Sequence, residues 1–375
     1  MSSISEKINI IYNSKNDIKT AISNKGVEVG DDMSKYASLI DSISAESKVT
    51  DNIDYFWIEN TGESDGDVCV YPVLTADFLT GHIYVQYSQD QLNWTTIRYD
   101  YSYAESVNIL CGSVPESVVR ISASKKMYFR TDYSDEATTP LSFSIEFDEG
   151  MKTTYNYTPL TSCNVGGNLY SLVDYNDPCS KITKNSQFYN FLYKMPVVDA
   201  SSLILPFDEL TENCYCGMFL GCTTLKYAPK ILPAITPKET CYQYMFKDCS
   251  SLEALPEIML TSINAYGCIE NIFTTNLTIK EVKIHVVDKT TDGLFNCFWS
   301  TDTITDFYCP LSYYNLCSEN SDPIPSSTNI HYIDTKLEKI TQTAYDALTT
   351  KDDNTIYLVT NDTSTESTET TSEET

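Results

Sequence analysis

Cys214-Tyr215-Cys216-Gly217-Met218-Phe219-Leu220-Gly221-Cys222-Thr223-Thr224-Leu225 and Cys241-Tyr242-Gln243-Tyr244-Met245-Phe246-Lys247-Asp248-Cys249-Ser250-Ser251-Leu252 are one pattern written twice, 27 residues apart. Each reads Cys-Tyr-x-x-Met-Phe-x-x-Cys, then two hydroxyl residues and Leu. Each is followed by a Pro-bearing stretch, Ala228-Pro229 and Leu255-Pro256. A third copy starts at Cys268; it keeps Phe273 and lacks the second Cys. An earlier echo lies in Phe188-Tyr189-Asn190-Phe191-Leu192, with Phe191 standing 28 residues before Phe219. A later one, Gly293-Leu294-Phe295, follows Phe273 by 22 residues.

A fixed period of about 20 to 30 residues marks a coil of stacked units. A unit this small cannot bury its apolar side alone, so its Met, Phe and Leu stack on those of the next. The expected repeat core is Cys214, Met218, Phe219, Cys222, Leu225, Cys241, Met245, Phe246, Cys249, Leu252, Cys268 and Phe273. Cys214, Cys241 and Cys268 are expected to form a ladder inside the coil, at the spacing of about 4.8 Å between strands. The competing role for such cysteines is metal ligation. Zinc sites use Cys pairs two to four residues apart, met by another pair or by histidines. Here the spacing is Cys-x7-Cys and neither good unit holds a His. Packing as small buried hydrophobes is the expectation, with no metal and no cofactor.

These units resemble the BspA-like class of leucine-rich repeat, over roughly residues 186 to 310. That class occurs in bacterial surface adhesins and, with this Cys-Tyr-x-x-Met-Phe-x-x-Cys pattern, in structural proteins of crAss-like phages that infect gut Bacteroides. The resemblance implies a recognition or scaffolding surface and transfers no catalytic residue.

Composition narrows the classes. The chain has 375 residues, room for two or three domains. It carries 52 acidic against 25 basic residues, a net charge of −27. Nucleic-acid binding rests on Lys and Arg against phosphate, so nucleic acid is excluded as the main partner. The acidity serves solubility at high concentration. Twenty-eight tyrosines favour β structure. Thirteen cysteines, an odd number placed largely at repeat positions, indicate folding in a reducing cytosol. No apolar run approaches the ~20 residues of a membrane helix. Met1 to Glu6 has neither the basic start nor the apolar core of an export signal. The expectation is therefore a virion protein folded in the host cytoplasm, with no membrane partner.

Before the repeats, Ile4, Ile8, Ile11, Ile18 and Ile22 recur at spacings of three and four, with Lys15 filling the empty slot. The stripe fits either a coiled-coil seam or an amphipathic helix on its own domain. Met33 to Ile43 reads as a second short helix. Lys7 to Ile43 resembles an N-terminal anchoring module of phage tail and fibre proteins. That implies docking on other virion proteins, capsid or tail, or oligomerisation; the Ile-rich seam by itself suggests a homo-oligomer, trimer before dimer.

Residues 53 to 150 read as short strands: Tyr55–Ile58, Asp67–Val73, His82–Ser88, Val118–Ser122, Met127–Thr131 and Leu141–Phe147. Their spacing suggests a sandwich, immunoglobulin-like. Val85 to Thr95 resembles a hairpin in the sandwich that precedes such repeats. Trp94 within it is expected in the core, a sugar-stacking platform being the other reading; His82 receives no role. Residues 151 to 185 look irregular, with Pro159, Gly166-Gly167 and Pro178, and serve as an opening cap. Glu281–Val287 alternates and is expected as a strand, with Phe307–Pro310 the last rung.

Residues 311 to 330 read as a connector. Leu337–Leu348 reads as strand, turn and short helix, capped by Thr341 ahead of Ala344. Asp352 to Thr360 reads as a turn into a strand, with Asp352 and Asp353 solvated. This pattern resembles a small module of phage fibre and baseplate-like proteins. The Ser/Thr/Glu tail after Asn361 has no core-forming residues.

The fold class is thus mainly β with some α: a helical anchor (1–46), a β-sandwich (47–150), a BspA-like solenoid (151–332) and a small α/β piece with an acidic tail (333–375). The functional expectation is a non-enzymatic virion structural protein, an oligomeric head fibre, tail fibre or capsid decoration. Its recognition surface would face a host-surface glycan or protein. A bacterial BspA-like adhesin and a glycan-cleaving spike are the alternatives. No Gly-x-Ser-x-Gly, His-Glu-x-x-His or Walker loop is present, so no catalytic residue is named.

Overall fold

The computed structural model describes residues 54–360 except 74–79, 103–114, 132–139, 148, 176–181, 208, 235–236, 261–264, 277, 287–302, 312–313, 316–323, 325, 334–335, 342–347 and 349–354. The expected anchor, with Ile4, Ile8, Ile11, Lys15, Ile18 and Ile22, lies outside the described residues. So do Gly293–Phe295, the helix expected from Ala344, the Asp352-Asp353 pair and the tail from Asn361.

The described chain is mainly β, as its pattern indicates. The first seven strands are β1 (Phe56–Asn60), β2 (Gly66–Pro72), β3 (Thr80–Ser88), β4 (Thr95–Ser102), β5 (Val118–Ile121), β6 (Lys126–Arg130) and β7 (Leu141–Ser144). A short helix α1 (Glu149–Tyr155) follows, then β8 (Cys163–Asn168) and β9 (Val197–Ile204). One sheet has the order β4-β3-β6-β1-β8-β9, a second β5-β2-β7. Alternation decides the faces. In β1, Phe56 and Ile58 point inward while Trp57 and Glu59 point out. The sheets meet through aromatic rings: Phe143 of β7 packs edge-on to Phe129 of β6 at 4.9 Å and against Phe56 of β1 at 5.5 Å.

Asp67, near the start of the second sheet's central strand, is 1% exposed. Arg120 donates to both of its oxygens at 2.8 Å, and the Thr158 N–H donates at 2.7 Å. A buried carboxylate needs this much pairing, because an unpaired one is costly. Cys69 and Phe147 pack together on this sheet, with Tyr71, Val118 and Tyr157 against them.

The stretch 151 to 185, expected irregular, contains α1 and β8. The glycines that suggested a loop have a packing reason. Trp57 lies across Gly166, where a Cβ would come within 2.3 Å of its ring. Gly167 has φ +80°, and a Cβ there would meet the Tyr55 carbonyl oxygen at 1.9 Å. β8 pairs antiparallel with β1 and parallel with β9, so it turns an antiparallel sheet into a parallel run.

From there the chain climbs in units. β10 (Ile231–Ala234), β11 (Glu257–Leu260), β12 (Glu281–Val286), β13 (Asp306–Cys309) and β14 (Asn329–Tyr332) form one parallel sheet in chain order. β14 falls in the stretch read as connector. Past it, β15 (Lys336–Thr341) and β16 (Thr355–Thr360) pair in parallel as a two-stranded sheet.

Candidate interaction surface

Opposite the parallel sheet, each unit makes a run of tight turns. The backbone N–H groups alternate in direction. Cys216, Met218, Leu220 and Cys222 donate three residues back within their own turn. Tyr215, Gly217, Phe219 and Gly221 donate to the Cys241, Gln243, Met245 and Lys247 carbonyls of the next unit. The same ladder joins the Phe188 unit to the Cys214 unit and the Cys241 unit to the Cys268 unit. This gives each backbone donor a partner without helix or strand.

The geometry demands a left-handed residue every fourth position. Asn213, Gly217 and Gly221 in one unit have positive φ, as do Thr240, Tyr244 and Asp248 in the next and Gly267, Asn271 and Thr275 in the third. Gly and Asn tolerate that region; Thr and Tyr are held there by the ladder. This periodicity of four explains why the pattern keeps Cys, Tyr, Met and Phe between variable positions.

All twelve residues of the expected repeat core are 0% exposed. The rings stack in columns: Phe188, Tyr215 and Tyr242 with centroids 5.5 and 5.6 Å apart, and Phe219 on Phe246 at 5.5 Å. The register corrects the early echo. Leu192, whose N–H reaches the Met218 carbonyl, is equivalent to Phe219, and Phe191 is equivalent to Met218. The match of Phe191 to Phe219 was one residue out.

The second cysteine has a bonding task. Cys222 Sγ donates to the Leu192 carbonyl at 3.0 Å, and Cys249 Sγ to the Phe219 carbonyl at 3.1 Å. In the third unit, Asn276 stands at this position and its Nδ2 donates to the Phe246 carbonyl at 2.8 Å. The missing cysteine is thus replaced by another donor. Burial pushes the thiols of Cys163, Cys216, Cys268 and Cys309 up to about 12. Burial also raises Cys214, Cys222 and Cys241 well above the usual range. Thiols held protonated are poor metal ligands and poor nucleophiles. Among the described residues, no group of three or more His, Cys, Asp or Glu could hold a metal.

The outer side of the turns carries polar ladders with the same period. Thr240 Oγ1 donates to Asn213 Oδ1 at 2.5 Å, and Gln243 Nε2 to Glu270 Oε2 at 2.6 Å. Tyr193, Lys194, Leu220, Gly221, Tyr244, Lys247 and Asp248 line a surface hollow of about 300 Å³. Such ladders order the face without supplying a reactive group.

Trp94 is half-buried at the β3–β4 turn, outside the core expected for it. The turn itself is built on Asp90, which accepts from Ser88 Oγ at 2.9 Å and from the Leu92 and Asn93 N–H groups at 2.9 and 2.8 Å. These bonds hold its carboxyl well below the usual range. The guanidinium of Arg130 lies 3.9 Å from the Trp94 ring centre and 4.1 Å from that of Tyr175. Its Nε donates to Gln86 Oε1 at 2.8 Å. A face covered by a cation is not open to a sugar ring. Arg130 carried no role in the sequence, since its stacking depends on Tyr175, forty-five positions away. His82 is buried in β3, at 7% exposure.

No curated protein and no solved structure matches the chain. Residues 336–360, the span of β15 and β16, match the phage tail tip domain family. That match supports a structural, non-enzymatic role in a phage tail, as a component of the virion.

Proposed function

We propose that the chain is an oligomeric fibre-type protein of a phage tail, whose repeats form a BspA-like leucine-rich solenoid presenting a recognition surface. The observation that carries this is the match of residues 336–360 to the phage tail tip domain. In this reading the two antiparallel-rich sheets are an immunoglobulin-like sandwich and the phage is of the crAss-like kind that infects Bacteroides. The anchor at 1–46 docks on other tail proteins, and Ile4, Ile8, Ile11, Lys15, Ile18 and Ile22 form the seam of a trimer. The target is a host-surface glycan or protein. Binding strength comes from multiplying weak sites over subunits and copies per particle. The inert interior supports a scaffold: its thiols are buried and protonated.

The test is antibody labelling of intact particles by negative-stain microscopy. Label on the tail is expected. Label confined to the head, or to the bacterial envelope, overturns the assignment. Purified protein that cuts host polysaccharide overturns the non-enzymatic part. For the seam, Ile11→Asp with Ile18→Asp is expected to reduce the mass in sedimentation; an unchanged mass removes the seam.

A further inference from the structure

The parallel climb has a break at its start. β9 pairs with β8 as far as Ile204, and its bridge to the next unit sits back at Asp199, opposite Tyr227. β10 begins at Ile231, pairs with β11, and is the first strand of a separate sheet. The strand that closes one sheet and the strand that opens the next therefore border one cleft. Ser201, Ser202, Leu203, Ile204, Leu205, Lys230 and Ile231 line about 450 Å³ of it. A second hollow of about 470 Å³ adjoins it through Ser201, Lys230 and Ile231, and extends to Lys226, Tyr227 and Glu257.

The lining is unusual for this molecule. Ile204 and Ile231 are each 46% exposed and Tyr227 is 48% exposed, three of the few large apolar side chains that face solvent among the described residues. Lys230 is the one charged residue lining the inner part of the cleft. Neither it nor Lys226 has an ion-pair partner among the described residues, in a chain with net charge −27. Edge strands with apolar flanks are templates for a further strand.

We propose that this cleft is a strand-addition site for an extended peptide of another protein, with apolar residues at alternate positions and carboxylates between them. Such a peptide aligns along the β9 and β10 edges, as a strand does in β-augmentation. Its apolar side chains cover Ile204, Ile231 and Tyr227. Its carboxylates meet Lys230 and, in the adjoining hollow, Lys226, while Glu257 keeps a run of unbroken negative charge from being the best ligand. β10 has four residues, about 13 Å at the rise of a strand, so four to six peptide residues fill the edge. The site lies in the repeats, so it is independent of which tail surface the C-terminal module occupies.

The probe is a fluorescein-labelled hexapeptide of alternating Val and Glu, with a twin in which Lys replaces Glu, titrated against the full chain by anisotropy. The acidic peptide is expected to bind at least tenfold more tightly than its twin and to slow amide exchange in 201–205 and 230–234. Ile204→Ser is expected to weaken it severalfold without moving the melting temperature. Lys230→Glu, an exposed position, is expected to shift the preference toward the twin. Equal binding of the two peptides, no binding of either, or protection that falls elsewhere overturns the proposal.

Discussion

Cys222, Cys249 and Asn276 show how much one position in a repeat can demand. Each adds a second hydrogen bond to a carbonyl thirty residues earlier, which already accepts a backbone N–H of its own unit. Losing one buried hydrogen bond of this kind costs about 0.5–1.5 kcal/mol. Asn276→Ala is therefore expected to lose about that much in urea unfolding, while Asn276→Cys stays within about 1 kcal/mol of the parent. Equal losses in both would show that volume, not the bond, matters there. The pattern showed that the second cysteine recurs and then vanishes. The 27-residue period places Asn276 at that position, but not the bond it makes, which depends on a backbone group in another unit. The thiols make a second expectation at this scale. The nine described cysteines are all buried, so a disulfide reagent at pH 8 is expected to modify none of them in the folded chain and all of them after denaturation. Peptide mapping of the labelled protein reads this directly.

Single elements were most legible where alternation was unbroken. β1, β2, β3, β5, β6 and β7 fall where the sequence placed them; β1, β5 and β6 bury one face only, while β2 and β7 are buried on nearly every residue. β12 was read from its alternation, and β13 as a rung following it, though β14 adds one more. β8 was not read, since Gly166 and Gly167 carry no side chain to alternate; their fitness for a strand lies in Trp57 and the Tyr55 carbonyl that they make room for. Gly167→Ala forces a side chain into a left-handed backbone and against that carbonyl. The conformation alone costs about 1–3 kcal/mol, and a loss at least this large is expected in denaturant unfolding. β9 was missed because burial along its eight residues does not alternate, and β14 because it has only four residues and no turn signature. His285 adds a pH dependence within β12. It is 4% exposed, and burial, with a lesser push from Lys283, holds its imidazole below the ordinary 6.5 while Glu257 opposes. A histidine whose folded value is depressed contributes full stability above its unfolded value and loses it as pH falls. The melting temperature is expected to drop as pH goes below about 6.5, and His285→Gln is expected to flatten that part of the curve.

The first sheets and the first repeat units share one core. Phe56 and Phe143 of the first sheets pack on Phe191 at 5.2 and 5.4 Å, and Phe191 packs on Phe188 at 5.4 Å. Phe188 then stacks on Tyr215 at 5.5 Å, so one chain of rings passes from the sheets into the units. The Phe143 N–H also donates to the Phe191 carbonyl at 2.9 Å, and β9 belongs to the first sheet while following the first turn. The sequence offered the residues but not this junction, since Phe191 reads as one more repeat hydrophobe until its neighbours are known. Removing a ring buried on several sides costs about 3–5 kcal/mol. If the sheets and the units were independent, Phe191→Ala would lower protection only in its own unit. Because the ring is common to both, the variant is expected to raise amide exchange together in β1, β7 and the 214–222 turn, and to keep one unfolding transition at a lower denaturant midpoint. Two separated transitions, with β1 and β7 unmoved, would show that the ring chain is contact without coupling.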